Sequence, residues 1–312
     1  IPRKMSLDST VLESSRSAVA TQDGARLALY QVQAPRADAP ALLVGHANGL
    51  AAGSYSPWLR ELARGFHVFA FDARGHGASD APAGVLAEVY AVDRFAGDLA
   101  AVAAAVHARI SGRALHFAGH SLAAAAALRL AARGEALPFA SATLFEPPIF
   151  PPADSANYPE AIAQQERLIR GSARRQARWA SPQALFDFLR PRGVFRRFDP
   201  EMLAAHCRAC LKPDGAGGFL LCCPPEVESA VFAAHRDADT WAQLPGVLGY
   251  IHLVSGDPSA PDRDWVSGAM AAIAGRLPKS DVTVLPGAGH MMIFEQPALC
   301  RDLLLRRAGL AM

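Results

Sequence analysis

Three residue types that together perform nucleophilic catalysis occur along the chain in the order serine, acid, histidine. Ser121 lies in "HFAGHSLAAAAALRL", where an apolar run ends and an alanine-rich helical pattern begins. Asp257 in "IHLVSGDPSAPD" and His290 in "LPGAGHMMIFEQP" each follow an apolar run typical of a strand. A histidine can take the proton of a serine, and a carboxylate can orient that histidine. The pattern therefore predicts acyl transfer, with Ser121, His290 and Asp257 as catalytic residues.

Ser121 by itself allows two interpretations. Serine is a favoured N-cap, so it could simply begin the alanine-rich helix. Alternatively, the segment "GHSLA" (119–123) forms a tight strand-to-helix turn that holds the serine hydroxyl above the edge of a sheet. The acid and the histidine at two other strand ends favour the nucleophile, and the backbone N–H of Leu122 then faces the substrate.

The elements that would position these residues alternate along the chain. Short apolar runs separated by longer helical patterns predict an α/β fold with a mostly parallel sheet and helices on both faces. Catalytic groups of such a sheet gather at the carboxyl ends of its strands. Residues 151–236 break the alternation, since they open with two prolines and contain helical stretches without a convincing core strand. We expect a core of residues 1–148 and 237–312, with residues 149–236 inserted as a helical cap or lid over the site.

These motifs together resemble the α/β-hydrolase family, in its cap-bearing branch of serine esterases and lactonase-like enzymes. "GHANG" (45–49) is similar to the His-Gly loop of that family, and "FDARGHGASD" (71–80) to its Asp-x-Arg-Gly-x-Gly turn. The resemblance implies the α/β-hydrolase fold and an oxyanion hole made by the backbone N–H groups of Asn48 and Leu122. A serine at the turn argues against haloalkane dehalogenases and epoxide hydrolases of this fold, which carry an aspartate there.

Several neighbouring residues receive supporting roles. We expect His46 beside the oxyanion hole, His120 beside the serine turn, and Met291 in the wall of the pocket or in the core. The polar residues of the "FDARGHGASD" turn are interpreted as structural, because its glycines permit a tight turn. These are Asp72, Arg74 and His76.

Two departures from the family pattern concern glycines. Ala123 stands where the serine turn usually has its second glycine, and alanine is the smallest substitute. Ala47 replaces a glycine of the oxyanion loop, and its side chain would narrow the range of backbone conformations available there.

The third departure concerns the acid. Asp257 follows Gly256 directly, whereas many relatives place a residue or two between the strand and the acid. Glu146 in "LFEPP" is the main rival, because some relatives carry the acid after that preceding strand. Asp262 and Asp264 are weaker rivals, since they lie further into the loop.

Composition limits the partners. Among 312 residues, 31 lysines and arginines nearly balance 29 acidic residues, which is not the pattern of a nucleic-acid-binding protein. No run approaches the roughly 18 apolar residues of a membrane span, so we expect no membrane insertion. The first residues lack the apolar stretch of a secretory signal, and five cysteines are an odd number. Both observations predict a cytoplasmic protein with free thiols.

Two further clusters in the inserted segment each have an ordinary and a functional interpretation. Cys207, Cys210, Cys222 and Cys223 beside His206 could bind zinc, but we favour small buried side chains and expect no metal. The segment also carries several arginines, which could recognise a substrate carboxylate or form a solvated helix face; we favour the second. These are Arg167, Arg170, Arg174, Arg175, Arg196 and Arg197.

The predicted function is hydrolysis of a small-molecule ester or lactone with an apolar body, through an acyl-enzyme and without a cofactor, by a monomer or homodimer. Thioester hydrolysis, cleavage of a diketone C–C bond and acyl transfer use the same triad and remain alternatives. A ligand receptor that keeps the hydrolase fold is an alternative of another class.

Overall fold

A central sheet of eight strands runs in the order β1-β2-β4-β3-β5-β6-β10-β11. Strand β2 pairs antiparallel with β1 and with β4, and the remaining pairs are parallel. The computed structural model describes residues 15–134, 136–236, 238–260 and 263–310. The strands are β1 (Ser17–Ala20), β2 (Arg26–Val32), β3 (Ala41–Gly45), β4 (His67–Phe71), β5 (Leu115–His120), β6 (Ser141–Phe145), β7 (Arg178–Trp179), β8 (Leu211–Pro213), β9 (Phe219–Leu221), β10 (Ile251–Ser255) and β11 (Ser280–Val284).

Helices connect the strands and lie on both faces of the sheet. They are α1 (Ser56–Leu62), α2 (Leu86–Val89), α3 (Val92–His107), α4 (Leu122–Ala131), α5 (Tyr158–Ala173), α6 (Pro182–Leu189), α7 (Pro200–Ala209), α8 (Pro225–Ala234), α9 (Ala238–Gln243), α10 (Trp265–Arg276), α11 (Met292–Glu295) and α12 (Pro297–Arg307). Short 3-10 turns at Ala52–Tyr55, Gly193–Arg197 and Leu244–Gly246 join some of them.

The core has two halves, one on each face of the sheet. Helices α3, α4 and α10 bury their apolar faces on one side, and α1 and α12 do so on the other. Every residue of β3, β4 and β10 is buried, as the continuous apolar runs in the sequence predict for strands covered on both faces. The predicted α/β fold, with a mostly parallel sheet between helices, is confirmed.

The segment inserted between β6 and β10 contains helices α5 to α8 and a small antiparallel sheet in the order β7-β9-β8. The sequence pattern predicts helices here and does not reveal these three strands, which lie outside the central sheet. These strands are two or three residues long, which is too short for the two-residue alternation that marks a strand in a sequence. Within the described residues, no helix has the length and apolar character needed to cross a membrane.

Candidate active site

Ser121 lies in the turn between β5 and α4, at the carboxyl edge of the sheet. Its backbone has φ 51° and ψ −106°, a conformation that a residue with a side chain rarely adopts. The Ser121 N–H donates to the carbonyl oxygen of Phe145 on the next strand at 2.9 Å, which fixes the turn to the sheet. A strained backbone held by its neighbours is typical of functional turns.

The turn has almost no spare room behind it. A Cβ placed on Gly119 would lie 2.9 Å from the nitrogen of Ala124, so the start of α4 touches the strand. A Cβ placed on Gly45, at the end of β3, would lie 2.4 Å from the Cβ of Ala123. The methyl group that replaces the usual turn glycine therefore occupies space that Gly45 leaves open.

His290 connects the serine to an acid. Its Nε2 lies 3.0 Å from Ser121 Oγ, and its Nδ1 lies 2.7 Å from Glu146 Oε2. With the proton on Nδ1, the ring donates to Glu146 and can accept the serine hydroxyl proton at Nε2. This is the geometry of a nucleophile, a general base and an orienting acid.

Glu146 follows β6 and is completely buried. Its other carboxylate oxygen, Oε1, accepts from the Gly256 N–H at 2.6 Å and from Ser267 Oγ at 2.5 Å. The residue has φ 44°, so its backbone is also held in the left-handed region. The side chain is thus fixed by donors from two elements beyond its own strand.

Asp257 does not contact His290, which corrects the prediction that it orients the histidine. Its carboxylate accepts from the N–H and hydroxyl of Ser259, at 2.9 and 2.6 Å, and from the Gly287 N–H at 3.0 Å. Asp257 therefore stabilises its own turn and the loop before the histidine. The rival residue Glu146 makes the contact with His290 that the sequence predicts for Asp257.

Of the weaker rivals, Asp262 lies outside the described residues. Asp264 begins α10, where its side chain accepts from the Val266 N–H at 3.1 Å, and it lines the cavity next to His290. Burial raises the pKa of the Asp264 carboxyl above its usual value. It is an N-cap that faces the site, without a hydrogen bond to the histidine.

The surroundings of His290 change its proton affinity. Burial acts to lower the pKa of His290, but the hydrogen bond that its Nδ1 donates to Glu146 and the negative charges of Asp264 and Glu146 outweigh this effect. The pKa of His290 is raised to about 8. The imidazolium is therefore stabilised in this site, which is what a base that takes a proton during the reaction requires.

The loop after β3 orients the Asn48 amide. The Ala47 carbonyl accepts from His46 Nδ1 at 2.8 Å and from the Leu50 N–H at 3.2 Å. Because C=O and N–H point in opposite directions across a trans peptide, these bonds turn the Asn48 N–H away from them. Within the described part of the chain, the N–H groups of Asn48 and Leu122 donate to no protein acceptor. Asn48 lines the cavity, and Leu122 directly follows Ser121, which also lines it.

A chain of hydrogen bonds joins the three segments that carry the site. The Ala47 N–H donates to Tyr55 Oη at 3.1 Å, and Tyr55 Oη donates to His120 Nδ1 at 2.7 Å. His120 Nε2 then donates to the backbone carbonyl of His290 at 2.9 Å. Burial lowers the pKa of His120 to about 3, so the ring stays neutral and each of its nitrogens has one fixed role. His120 directly precedes Ser121, whereas no pattern in the sequence indicates that Tyr55 takes part.

The polar residues of the 71–80 turn hold the structure together. Asp72 accepts from Tyr30 Oη and from the N–H groups of Ala52 and Ala78, at 2.8, 2.7 and 2.8 Å. Arg74 is 2% exposed and pairs with the buried Asp98 at 2.6 Å. 

The histidine of the same turn reaches the oxyanion loop. His76 Nε2 accepts from the Gly49 N–H at 3.1 Å, while its Nδ1 donates to the Arg74 carbonyl. His76 thus supports the oxyanion loop, Asp72 holds the backbone at Ala52 and Ala78, and Arg74 is paired with Asp98.

A cavity of about 240 Å³ opens onto Ser121 and His290. One wall is apolar and is formed largely by the inserted segment, together with the residue after the histidine. The apolar residues include Leu168, Val194, Phe195, Phe198, Phe232 and Met291. The lining also includes the charged residues Arg175 and Glu228, which no local pattern in the sequence distinguishes from other charged residues of the segment.

The cysteines lie apart from this chemistry. Cys207, Cys210 and Cys223 are buried, and all five cysteines of the chain are free. Among the residues that the structure describes, no group of three or more histidine, cysteine or acidic side chains is arranged to hold a metal ion.

The family model described as "Alpha/beta hydrolase family" matches residues 41–303, which include every site residue described above. The chain belongs to the alpha/beta hydrolase family. No curated protein matches the sequence. As an alpha/beta hydrolase, the chain carries its serine turn after the fifth strand and its histidine after the last.

Solved structures of low sequence identity share the hydrolase fold. An E-2-(acetamidomethylene)succinate hydrolase is 19% identical with a TM-score of 0.74, over 94% of this chain and 98% of that one. A malate-bound esterase from Thermogutta terrifontis is 22% identical with a TM-score of 0.64, over 95% and 98%. The enol-lactonase from Burkholderia xenovorans LB400 is 19% identical with a TM-score of 0.64, over 94% and 100%. At these identities the likeness concerns the fold.

Proposed function

We propose that the protein is a serine hydrolase that cleaves a carboxylic ester or lactone with an apolar body. The observation that carries the proposal is the continuous contact from Ser121 Oγ through His290 to Glu146, with distances of 3.0 and 2.7 Å. A ligand receptor would have no need for all three groups in hydrogen-bonding order. The names of the fold neighbours, an esterase and an enol-lactonase among them, support this reaction class.

The proposed reaction proceeds through an acyl-enzyme. Ser121 Oγ attacks the substrate carbonyl while His290 Nε2 takes the hydroxyl proton, and Glu146 stabilises the imidazolium. The N–H groups of Asn48 and Leu122 hold the negative charge on the carbonyl oxygen. His290 then gives the proton to the leaving alcohol, and water attacks the acyl-enzyme with His290 again as the base.

We also infer that residues 149–236 act as a cap over the site. The apolar wall of the cavity supports this, because Leu168, Val194 and Phe195 of this segment face the pocket that holds Ser121. An apolar wall excludes water from the carbonyl and accommodates the apolar body of the substrate.

The test is turnover of p-nitrophenyl esters and lactones by wild type and Ser121→Ala, with a fluorophosphonate that labels active serines. We expect turnover and labelling in the wild type, and loss of both in Ser121→Ala. Ser259→Ala is the matched control, since Ser259 is also a loop serine at the sheet edge, but its N–H and hydroxyl donate to Asp257. Absence of turnover together with absence of labelling at Ser121 would refute the proposal. Labelling of Ser121 without turnover of any ester or lactone would instead favour thioester hydrolysis, diketone cleavage or acyl transfer as the reaction.

A further inference from the structure

One arginine of the inserted segment reaches the cavity that holds Ser121 and His290. The segment carries six arginines in the stretches 167–175 and 196–197, and Arg175 is the one that lines this cavity. Its side chain is 26% exposed and forms part of the cavity lining. A cation in a mainly apolar pocket is costly to desolvate, which favours a role in binding.

A buried carboxylate fixes the position of this guanidinium. Arg175 Nη1 lies 2.5 Å from Glu228 Oε2, and the Glu228 side chain is 9% exposed. The backbone carbonyl of Glu228 accepts from Asn48 Nδ2 at 2.9 Å. The ion pair is therefore attached to the loop that carries the Asn48 amide.

The ion pair also lies directly against that loop. A Cβ on Gly49 would be 2.7 Å from Glu228 Oε1 and 3.3 Å from Arg175 Nη1. The guanidinium thus stands beside the group that would hold the carbonyl oxygen of a substrate. An anion bound to it would be part of the same molecule as the scissile carbonyl.

Most of the hydrogen-bonding capacity of Arg175 is unused. A guanidinium has five N–H donors in a planar fork, which matches a carboxylate. In the part of the chain that the structure describes, Nη1 bonds to Glu228, whereas Nε and Nη2 have no acceptor. Glu228 therefore holds one edge of the fork and leaves another edge for a ligand.

We propose that Arg175 binds a carboxylate of the substrate, so that the enzyme prefers anionic esters or lactones over neutral ones. This inference rests on the proposed hydrolase function and names its substrate class. Glu228 repels a second carboxylate on its own side, so the ligand binds through the edge formed by Nε and Nη2. Recognition then depends on the distance between the carboxylate and the scissile carbonyl in the substrate.

The experiment compares matched substrates. Mono-p-nitrophenyl esters of succinate, glutarate and adipate carry a free carboxylate, and p-nitrophenyl butyrate, pentanoate and hexanoate are neutral counterparts. We expect wild type to prefer at least one half-ester over its counterpart in kcat/KM by about tenfold or more. In Arg175→Gln that ratio should fall to about one or below, mainly through KM. Arg174→Gln is the control, because Arg174 is adjacent but does not line the cavity.

Further variants separate binding from folding. Arg175→Gln with Glu228→Gln removes both charges and leaves no unpaired acid, and it should lose the preference as the single variant does. Binding of monomethyl glutarate to Ser121→Ala, with and without Arg175→Gln, gives a calorimetric measurement that needs no turnover. An unchanged ratio in Arg175→Gln, a wild-type preference for neutral esters, or equal calorimetric affinity in both variants would overturn the inference. Turnover of neutral esters with any of these results leaves the proposed function standing, whereas loss of all turnover and labelling refutes that function instead.

Discussion

Glu146 and Asp257 follow neighbouring strands of the sheet, yet their side chains meet different partners. Glu146 has an extra methylene group and is fixed by the Gly256 N–H and the Ser267 hydroxyl. Asp257 is bound within its own turn by Ser259 and is partly exposed. At the scale of single residues, the direction of one carboxylate decides which acid supports His290.

Replacing Glu146 by Gln should lower kcat by between about a hundredfold and ten-thousandfold. The Gly256 N–H and Ser267 hydroxyl would keep the amide oxygen at the Oε1 position, so the NH₂ group would face His290 Nδ1. That nitrogen would then have to accept, which puts the ring proton on the side of Ser121. Steady-state kinetics on a neutral ester measures the loss, and Asp257→Asn is the control with kcat close to wild type. A larger loss of kcat in Asp257→Asn than in Glu146→Gln would instead assign the role of the orienting acid to Asp257.

The pH dependence should show His290 titrating near its raised pKa of about 8. Because the base must be neutral, kcat/KM for a neutral ester should rise with pH through about 8 and level off above it. Glu146→Gln removes the hydrogen bond and the charge that raise this pKa. The midpoint of its pH profile should therefore lie at a lower pH than that of the wild type. Kinetics between pH 5 and 10 tests this. An identical midpoint in both proteins would contradict the assigned contact.

At the scale of elements, helix α4 and strand β3 meet without space between them. The methyl of Ala123 fills the gap beside Gly45, which explains why the serine turn can do without its usual glycine. Ser121 is held in position by this packing as well as by its hydrogen bond to Phe145. The element contact is therefore part of what fixes the strained backbone.

Gly45→Ala should destabilise the protein by about 1–3 kcal/mol, because two methyl groups would need the same space. Ala123→Gly should recover most of this loss in the double variant, although alone it costs about 0.5–1 kcal/mol. Chemical unfolding of the four proteins gives the coupling between the two sites. Strictly additive effects would show that the two residues do not compete for space.

Tyr55→Phe should lower kcat while leaving KM nearly unchanged. The hydroxyl links the Ala47 N–H of the oxyanion loop to His120, and through it to the His290 carbonyl. Its loss leaves buried groups unpaired and frees both loops to shift. Tyr30→Phe is the matched control, since it removes a buried hydroxyl that bonds to Asp72 and is not part of this chain of hydrogen bonds. Equal kcat in the two variants would show that the chain of hydrogen bonds has only a structural role.

The sequence predicts the alternation of strands and helices along the chain, and it places Ser121 and His290 at strand ends, where the structure brings their side chains together. Their signals are local, a turn between a strand and a helix and a glycine-rich loop after a strand. The choice between Glu146 and Asp257 is not local, because β6 and β10 are hydrogen-bonded neighbours and both acids stand at the same edge. It depends on donors from Gly256 and Ser267, whose positions only the folded chain defines.

The inserted segment was harder to predict for another reason. Its strands of two or three residues show no periodicity. Helix α8 was not predicted at all, and it carries Glu228, which holds Arg175 in the cavity. Contacts between distant parts of this segment, rather than local preference, determine which of its arginines faces the pocket.

At the scale of the whole molecule, the inserted segment is tied to the loop that carries the histidine. Arg197 pairs with the buried Glu295 at 2.7 Å and donates to the Gly287 carbonyl. Glu295 in turn accepts from the Gly289 N–H at 2.9 Å. The Asp199 N–H also donates to the Phe294 carbonyl, at 2.8 Å. The cavity wall and His290 therefore share one set of contacts.

Arg197→Gln should loosen the loop before His290. Without the cation, the Glu295 carboxylate is held less firmly. The hydrogen bond that the Gly289 N–H donates to this carboxylate should therefore weaken. Hydrogen exchange measured by mass spectrometry should show faster exchange over residues 287–290, with a lower kcat for a neutral ester. Arg196→Gln is the neighbouring control, because the Arg196 guanidinium bonds to Gly193 within its own turn. Equal hydrogen exchange in the two variants would show that Arg197 does not stabilise the loop before His290.

The position of Glu146 before the insertion has a consequence for how this enzyme can diversify. Ser121, Glu146 and the amides of Asn48 and Leu122 all precede residue 149, so their spacing is independent of the length of the inserted segment. Of the residues in the proposed mechanism, His290 follows the inserted segment in the sequence. Evolution can therefore lengthen, shorten or replace the inserted segment without changing the spacing of these groups along the chain, provided that the loop carrying His290 still reaches Ser121.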